Sequence, residues 1–496
     1  MNPCDLTAMD ARQAIARKDL SPVEYANALI QRTEQVNHAV NAVVAHDFDQ
    51  LLDESRKAEA LVTKGGDLGP LHGLVFAVKD MIDVAGLPTT FGSPLFAKNM
   101  AANDDPMVAA MRAAGAMPLG KTNVPEWSAG GNTRNAVHGV TANPYDLSKT
   151  CAGSSGGSAV ALACGMAPLA TGSDTGGSLR NPAAFCSVVG FRPSPGVVPG
   201  EKRGIAALPL PTPGPMARTA ADAGLMLSIL ARPDRRDPYT AVIAGRTLWD
   251  PSGFAKLKRM DLAKLRIAVT EDFGFAPTES IVRSTFRRAI ETLSPAFRQI
   301  DETTPDCSGA DRIFSVLRAL MFLGNHHKMV IETPDQVGPN VTANVAEGLA
   351  LDPLTISDAL TRHGAYYRAW QAFFETTDYI LCPAVTVSPR PWTELYPAEI
   401  DGRATSSYYH WLAMAYASTL AGHPSITIPC GRDDKGMPFG LQIIGRRHDD
   451  HGVLSLASEL EAVIGGTSTL QNPRPNLAAL QSAPPLKEAE GFWNFG

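Results

Sequence analysis

Short apolar runs alternate with segments of helical periodicity along much of the chain. Residues 73–79 are almost entirely apolar, and 116–120 and 168–172 are shorter runs of the same kind, which predicts three buried strands. Residues 107–114 and the small, apolar residues 158–164 predict helices, each of which lies between two of these strands. Strands that alternate with helices indicate an α/β fold, with a large mixed, mostly parallel sheet covered by helices on both faces.

The chain is expected to form a single domain, 1–496. Its length exceeds the roughly 250–300 residues at which single cores usually stop growing, yet no long charged or low-complexity linker interrupts it. Four internal segments are expected. They are an N-terminal helical segment (1–70), a core region (71–220), a mainly helical region that shapes the substrate pocket (300–420) and a polar, proline-rich tail (465–496).

Local signals refine these segments. Ser21 is followed by proline at the first helical position and by Glu24 three residues later, which predicts the start of a helix. Residues 196–215 are rich in proline and glycine and predict a surface loop. The apolar runs 425–429 and 439–444 predict strands that close the sheet.

Composition excludes several classes of function. The chain is 44% hydrophobic and 19% charged, with a net charge of -6, which argues against a nucleic-acid surface, for which a basic stripe would be expected. No apolar stretch reaches the length of about 18 residues that a membrane helix needs, and the N-terminus lacks the apolar core of a signal peptide. Seven cysteines without a CxxC pair argue against a disulfide framework or a zinc site. We expect a cytoplasmic protein without nucleic-acid or membrane partners.

Lys79 ends the first apolar run. Because side chains alternate along a strand, Lys79 and Asp80 should face opposite ways, so the two need not pair. A buried lysine without a carboxylate partner has a lowered pKa and can act as a general base near neutral pH. The competing interpretation is a lysine that leaves the core at the strand end and reaches water, which is the commoner situation for an isolated lysine.

Two glycine-rich clusters with serines follow. The first, 152–158, contains Ser154 and Ser155; Ser155 satisfies the G-x-S-x-G pattern of a nucleophile elbow, which is weak evidence in glycine-rich sequence, and no P-loop lysine follows. The second, 172–180, places two consecutive glycines before Ser178, and amides in such a turn can face one concavity suited to an oxyanion. Each cluster alone also fits an ordinary turn, but their combination with Lys79 favours catalysis.

With their surrounding motifs, Lys79, Ser154 and Ser178 resemble the Ser–cis-Ser–Lys triad of the amidase signature family, and the similarity implies that family's fold. It is close over about 71–218 and looser through 440–445. The matching motifs are Gly-Lys-Thr-Asn at 120–123, Pro-Glu-Trp at 125–127, Ala-Asn-Pro-Tyr at 142–145 and Val-Gly-Phe-Arg-Pro at 189–193.

The resemblance implies a role for each of these positions. Ser178 would be the acyl-enzyme nucleophile, Ser154, held by a cis peptide bond, would relay protons, and Lys79 would be the base. The remaining implied roles are an oxyanion hole from the backbone amides of Thr175, Gly176, Gly177 and Ser178, loop support from Asp174 and Arg180, and substrate contacts from Ser128 and Gly130. The family usually has glycine where Ala152 stands, so the extra methyl is expected to narrow the loop entrance or alter its turn.

The residues and the resemblance together predict an amidase that hydrolyses the C–N bond of small carboxamides or aryl and acyl amides, without a metal or cofactor. An esterase side activity and a homodimer are further family-level expectations. Three alternatives stay open. They are the glutaminase component of a tRNA-dependent amidotransferase, disfavoured because 195–199 lacks that component's Tyr-Gly-x-Val-Ser-Arg pattern, a Ser-His-Asp hydrolase using Ser155, and a non-catalytic anion- or nucleotide-binding module built on the glycine loops.

Overall fold

The structure, a computed structural model, describes residues 2–493; Met1 and residues 494–496, the extreme ends of the predicted N-terminal segment and tail, lie outside it. In chain order the strands are β1 (Val43–Ala45), β2 (Val75–Lys79), β3 (Met117–Thr122), β4 (Arg134–Asn135), β5 (Gly139–Val140), β6 (Ala142–Asn143), β7 (Asp146–Thr150), β8 (Leu169–Asp174), β9 (Val189–Arg192), β10 (Thr212–Ala217), β11 (Val242–Ile243), β12 (Arg246–Thr247), β13 (Arg266–Val269), β14 (Gln299–Glu302), β15 (Tyr379–Pro383), β16 (Glu399–Ile400), β17 (Arg403–Ala404), β18 (Ser425–Arg432) and β19 (Pro438–Gly445).

The helices surround these strands in the sequence. They are α1 (Ala8–Ala16), α2 (Pro22–Val40), α3 (Phe48–Thr63), α4 (Pro106–Ala113), α5 (Gly156–Ala163), α6 (Arg180–Cys186), α7 (Ala220–Leu230), α8 (Ser280–Leu293), α9 (Ala310–Glu332), α10 (Pro339–Leu349), α11 (Pro353–Thr376), α12 (Ala413–Ala421), α13 (Asp450–Gly465) and α14 (Leu477–Ser482). None of the helices within 2–493 has both the length and the apolar character needed to cross a membrane.

Eleven strands form one sheet, in the spatial order β1-β3-β2-β8-β10-β9-β18-β19-β15-β13-β14. The predicted α/β class with a large mixed sheet is confirmed. The expectation that the sheet is mostly parallel is wrong, because only β2–β3, β2–β8, β13–β14 and β13–β15 pair in parallel, and the other six neighbouring pairs are antiparallel. One reason is that β18 and β19 are joined by a short turn, a connection that only antiparallel strands allow.

Several local predictions are confirmed. The Ser21 hydroxyl accepts from the Glu24 amide, and the Glu24 carboxylate accepts from the Ser21 amide, so a capping box starts α2. The predicted strand at 73–79 is β2, and the predicted helices at 107–114 and 158–164 are α4 and α5. Each of these elements is predicted by signals within its own stretch of sequence.

The surface loop predicted for 196–215 is confirmed only in part. Residues 199–211 are irregular, and 201–207 are partly or fully exposed. The last residues of the segment, from Thr212 on, instead enter β10, which lies between β8 and β9 inside the sheet. All of β10 pairs with β8, whereas β9 pairs only with Met216 and Ala217. Pro213 and Pro215 therefore face no strand on the β9 side, and the amide hydrogen that proline lacks is not needed there. Four apolar side chains earlier in the segment are buried as well: Val197, Val198, Leu208 and Leu210.

The region 300–420 is mainly helical, but it also supplies β15 to the sheet, which the prediction missed because a five-residue apolar run beside a long helix has no period of its own. The described part of the tail packs against the body through buried side chains of Leu470, Leu480 and Leu486. The seven cysteines are all free and buried.

Candidate active site

Lys79 joins the two glycine-rich clusters. It is the last residue of β2 and is fully buried. Its amide donates to the Thr171 hydroxyl on β8, and its Nζ donates to Ser154 Oγ at 2.7 Å and to Ser173 Oγ at 3.0 Å. The lysine therefore bridges one hydroxyl from each cluster at the end of two parallel strands.

Burial is the main influence on the Lys79 amine and lowers its pKa from 10.5 to about 7, while the charge of Asp174 acts in the opposite direction. The predicted opposite orientation of Asp80 is confirmed, since that carboxylate forms an ion pair with Lys121 at 3.0 Å and accepts from the Thr90 hydroxyl. The alternative of a lysine that reaches water is wrong, because Lys79 is 0% exposed.

The first cluster holds Ser154 and Ser155 at the start of α5. The peptide bond between Gly153 and Ser154 is cis. The Ser155 amide donates to the Ser178 carbonyl at 3.2 Å, which ties the first cluster to the second. The Ser155 hydroxyl is fully buried and lies against the backbone of Ser173, so its contacts are those of a structural residue and give no support to a Ser155 nucleophile.

Ala152 has a left-handed backbone, with φ of 60°. An alanine in this region costs about 1 kcal/mol relative to glycine, so this backbone conformation favours glycine. Its carbonyl accepts from the Thr133 hydroxyl at 2.7 Å, and its side chain is fully buried. The extra methyl therefore acts on the turn and not on the entrance to the site.

The Asp174 carboxylate holds the second cluster in its conformation through hydrogen bonds to backbone amides and to Arg180. The fully buried carboxylate accepts from the Gly177 amide at 2.9 Å, from the Leu179 amide at 3.1 Å, and from two nitrogens of Arg180 at 2.8 and 3.0 Å. Burial alone would raise its pKa, but Arg180 and the nearby Arg192 hold the pKa well below the usual range.

Arg180 links the second cluster to other parts of the protein. Besides Asp174, its guanidinium donates to four acceptors on or beside the sheet: the Ala415 carbonyl, Ser418 Oγ, Thr419 Oγ1 and Gln442 Oε1. The loop before α6 is thereby fixed to α12 and to β19. A charged residue can be this deeply buried because each of its contacts is a charge-assisted hydrogen bond or an ion pair.

The structure distinguishes among the four amides predicted for the oxyanion hole. The Gly177 amide donates to Asp174, so it is engaged within the loop. Gly177 has φ of 104°, which requires glycine there. Thr175 and Ser178 are half-buried, and Gly176 faces the side chain of Phe314 on α9.

A cavity of about 450 Å³ opens beside this loop, within the size range of small-molecule sites. Ser173 and Thr175 line it on one side, and Trp127 and Ser128 on another. Gly130 does not belong to the described lining; a Cβ there would lie 3.2 Å from the amide nitrogen of Asn340.

Two further groups lie at the site although no sequence pattern predicted a role for them. Ser173 belongs to the second cluster, but only the folded structure brings its hydroxyl to Lys79. Arg318 also lines the cavity and lies on α9, where the largely apolar pattern gave no signal of a site. Both depend on contacts between distant parts of the chain.

The chain is similar to several known proteins along most of its length. The family model described as Amidase matches residues 24–454. An acylamidase of Rhodococcus erythropolis is 33% identical over 461 residues, which cover 92% of this chain and 95% of the relative. A glutamyl-tRNA(Gln) amidotransferase subunit of Salinispora arenicola (strain CNS-205) is 32% identical over 508 residues, covering 93% and 98%. The crystal structure of a bacterial aryl acylamidase of the amidase signature family superposes with a TM-score of 0.85 at 25% identity, covering 92% and 96%.

Proposed function

The chain belongs to the amidase signature family of hydrolases, which act on amide C–N bonds, and we propose that it hydrolyses small carboxamides or aryl and acyl amides through an acyl-enzyme on Ser178. In this proposal Ser154 relays protons between Ser178 and Lys79. The observation that carries it is the 2.7 Å contact between Lys79 Nζ and Ser154 Oγ, two side chains that are both buried. An ammonium buried this way loses its proton readily and becomes a base.

Acylation begins with neutral Lys79. With a pKa of about 7, half of the amine is neutral at pH 7 and about 90% at pH 8. Its nitrogen takes the Ser154 proton along the 2.7 Å contact, Ser154 takes the Ser178 proton, and Ser178 Oγ attacks the amide carbonyl. The negative charge of the tetrahedral intermediate is stabilised by the backbone amides of Thr175, Gly176 and Ser178; the Gly177 amide, held by Asp174, shapes the loop.

The same relay then runs in reverse. The Lys79 ammonium returns a proton through Ser154 to the leaving nitrogen, the C–N bond breaks, and the amine departs. Water attacks the acyl-enzyme and gives its proton to the relay, and the relay reprotonates Ser178 as the acid leaves. Each proton taken up by Lys79 is returned within the same half-reaction, so the enzyme ends the cycle unchanged.

A second candidate is the glutaminase component of an amidotransferase. The similarity to the amidotransferase protein of Salinispora arenicola supports it, at nearly the same identity as the acylamidase. Against it, the segment 195–199 lacks the pattern associated with that component, and its Val198 and Pro199 line the cavity instead. Hydrolysis of free glutamine together with co-purifying partner proteins would favour this candidate over the first.

The test compares two serines that lie side by side. Ser178→Ala should reduce single-turnover acylation of an anilide by about 10⁴-fold or more and abolish fluorophosphonate labelling, because the nucleophile is gone. Ser155→Ala is the matched control and should keep both, since the Ser155 hydroxyl contacts only backbone in this region. Fluorophosphonate labelling of the Ser178→Ala protein would overturn the assignment of Ser178 as nucleophile, and so would a loss of activity in Ser155→Ala alone. A wild-type protein that is not labelled would favour a non-catalytic module.

A further inference from the structure

Arg318 is a buried cation in the wall of the cavity. It is 4% exposed, and its guanidinium lies over the rings of Phe322 at 4.7 Å, Tyr408 at 5.2 Å and Tyr409 at 5.5 Å. Its Nε donates to the Tyr408 hydroxyl at 3.0 Å, and Nη2 donates to the same oxygen. One edge of the guanidinium is thus held in place by the protein, which leaves Nη1 for a ligand in the cavity.

Arg318 differs from the other cations of the cavity in having no carboxylate partner. In the part of the chain that the structure describes, no carboxylate oxygen lies within ion-pair distance of Arg318. Glu347, the acid beside the aromatic rings around Arg318, accepts instead from the Tyr409 hydroxyl. The other cations of the lining are all paired: Lys202 with Asp83 and Asp105, Arg203 with Asp237, and Arg232 with Asp234. A buried guanidinium without a counter-charge favours binding of an anion.

Arg318 lies close to the second glycine-rich cluster, 172–180, which contains the proposed nucleophile. Phe314, Arg318 and Phe322 are four residues apart and therefore share one face of α9. The Phe314 ring lies against the loop, where a Cβ on Gly176 would be 3.2 Å from it, and Arg318 follows about 6 Å further along the helix axis. One turn beyond Phe322, His326 lines the same cavity and packs on Trp127 with ring centres 5.0 Å apart.

We propose that Arg318 binds a carboxylate carried by the substrate, so that the preferred substrates are amides of dicarboxylic acids with one free carboxylate. This inference rests on the proposed function, because it places the scissile carbonyl at Ser178. The carboxylate then reaches the Nη1 edge of Arg318 through a short apolar chain that packs on Phe322 and its aromatic neighbours. A charge-assisted hydrogen bond of this kind also selects against neutral amides of the same length.

The test uses pairs of amides that differ in one terminal group. Each pair has two to five methylene groups between the carboxamide and either a carboxylate or a methyl group, and kcat/KM is measured for both members. The wild-type protein should prefer the best carboxylate over its methyl partner by roughly 10- to 100-fold. Arg318→Met and Arg318→Gln should bring this ratio close to one. Arg447→Met is the matched control and should preserve the ratio, because Arg447 lies over the Tyr367 ring at 5.4 Å but outside the cavity lining.

A readout that does not need turnover separates this inference from the proposed function. The dicarboxylate product should raise the melting temperature of the wild-type and Ser178→Ala proteins but not of Arg318→Gln, provided that Arg318→Gln has a cooperative melting transition of its own. If that variant does not fold, the wild-type substrate ratio decides. Equal turnover of carboxylate and methyl amides would overturn the Arg318 assignment and leave the amidase standing. Absence of all amide turnover, with the dicarboxylate shift intact, would overturn the proposed function alone.

Discussion

Replacing Lys79 with methionine should abolish amide hydrolysis and at the same time stabilise the folded protein. Methionine has a similar length and no charge, so it fills the buried position without the penalty that an ammonium incurs there. A residue kept for catalysis at the expense of stability behaves in this way, whereas a structural lysine does not.

The magnitude follows from the pKa of Lys79. A fall from 10.5 to about 7 corresponds to about 5 kcal/mol. Above pH 7 the folded protein has lost the proton while the unfolded chain keeps it up to pH 10.5, so the unfolded state binds more protons and stability rises with pH in this window. The penalty is therefore largest below pH 7, about 4 kcal/mol at pH 7, and about 2 kcal/mol at pH 9.

Part of this gain is lost with the two hydrogen bonds from Nζ to Ser154 and Ser173, each worth about 1 kcal/mol. The net stabilisation of Lys79→Met at pH 7 should therefore be about 2 kcal/mol. The two lost hydrogen bonds do not depend on pH, so the difference in unfolding free energy between variant and wild type should fall by about 1.4 kcal/mol per pH unit between pH 7.5 and 9.5.

Denaturant unfolding of both proteins at several pH values measures this difference. Lys121→Met is the control: Lys121 is equally buried but forms the ion pair with Asp80, so its removal should destabilise the protein by about 3–5 kcal/mol. A Lys79→Met protein that is less stable than wild type by an amount independent of pH would show that Lys79 is not a desolvated amine, and the argument for its role as base would fail.

Three further outcomes are expected. The kcat/KM for a neutral amide should rise about tenfold per pH unit below pH 7 and level off above it, because only neutral Lys79 accepts a proton; a profile flat from pH 5 to 9 would exclude this base. Asp174→Asn should lower stability by about 3–5 kcal/mol in thermal unfolding, because it leaves buried Arg180 without its counter-charge; an unchanged melting temperature would contradict the ion-pair argument. Gly177→Ala should cost about 2 kcal/mol or more and reduce kcat, since its Cβ would lie 2.5 Å from that of Ala415; wild-type kinetics would show that the loop tolerates a side chain there.

The elements that the sequence predicted well are those determined by neighbouring residues. The capping box at Ser21 starts α2, and the apolar run at 73–79 becomes β2, because these signals need no partner elsewhere in the chain. The orientation of Asp80 away from Lys79 follows equally from alternation along one strand. The identity of its partner does not, since Lys121 comes from a different strand, β3.

The features that sequence patterns do not predict are determined by pairing across the sheet. The two prolines of β10 locally favour a loop, but pairing along β8, and with β9 at its last two residues, holds this segment in the sheet. The antiparallel half of the sheet, from β10 to β15, likewise depends on connections whose direction a local pattern does not encode. The candidate catalytic residues come from short motifs that carry a family resemblance, and their roles stay predictions.

The distribution of charge explains how one lysine can stay neutral in a site with several acids. Of the two acids beside it, Asp80 is turned away and paired with Lys121, and Asp174 is paired with Arg180 and lies close to Arg192. Each carboxylate that would hold the proton on Lys79 thus has a cation of its own. Burial therefore remains the dominant influence on the pKa of the amine. The Asp174 carboxylate that Arg180 neutralises also accepts from the Gly177 amide, so the same group that is kept from Lys79 connects the loop of the proposed nucleophile to Arg180.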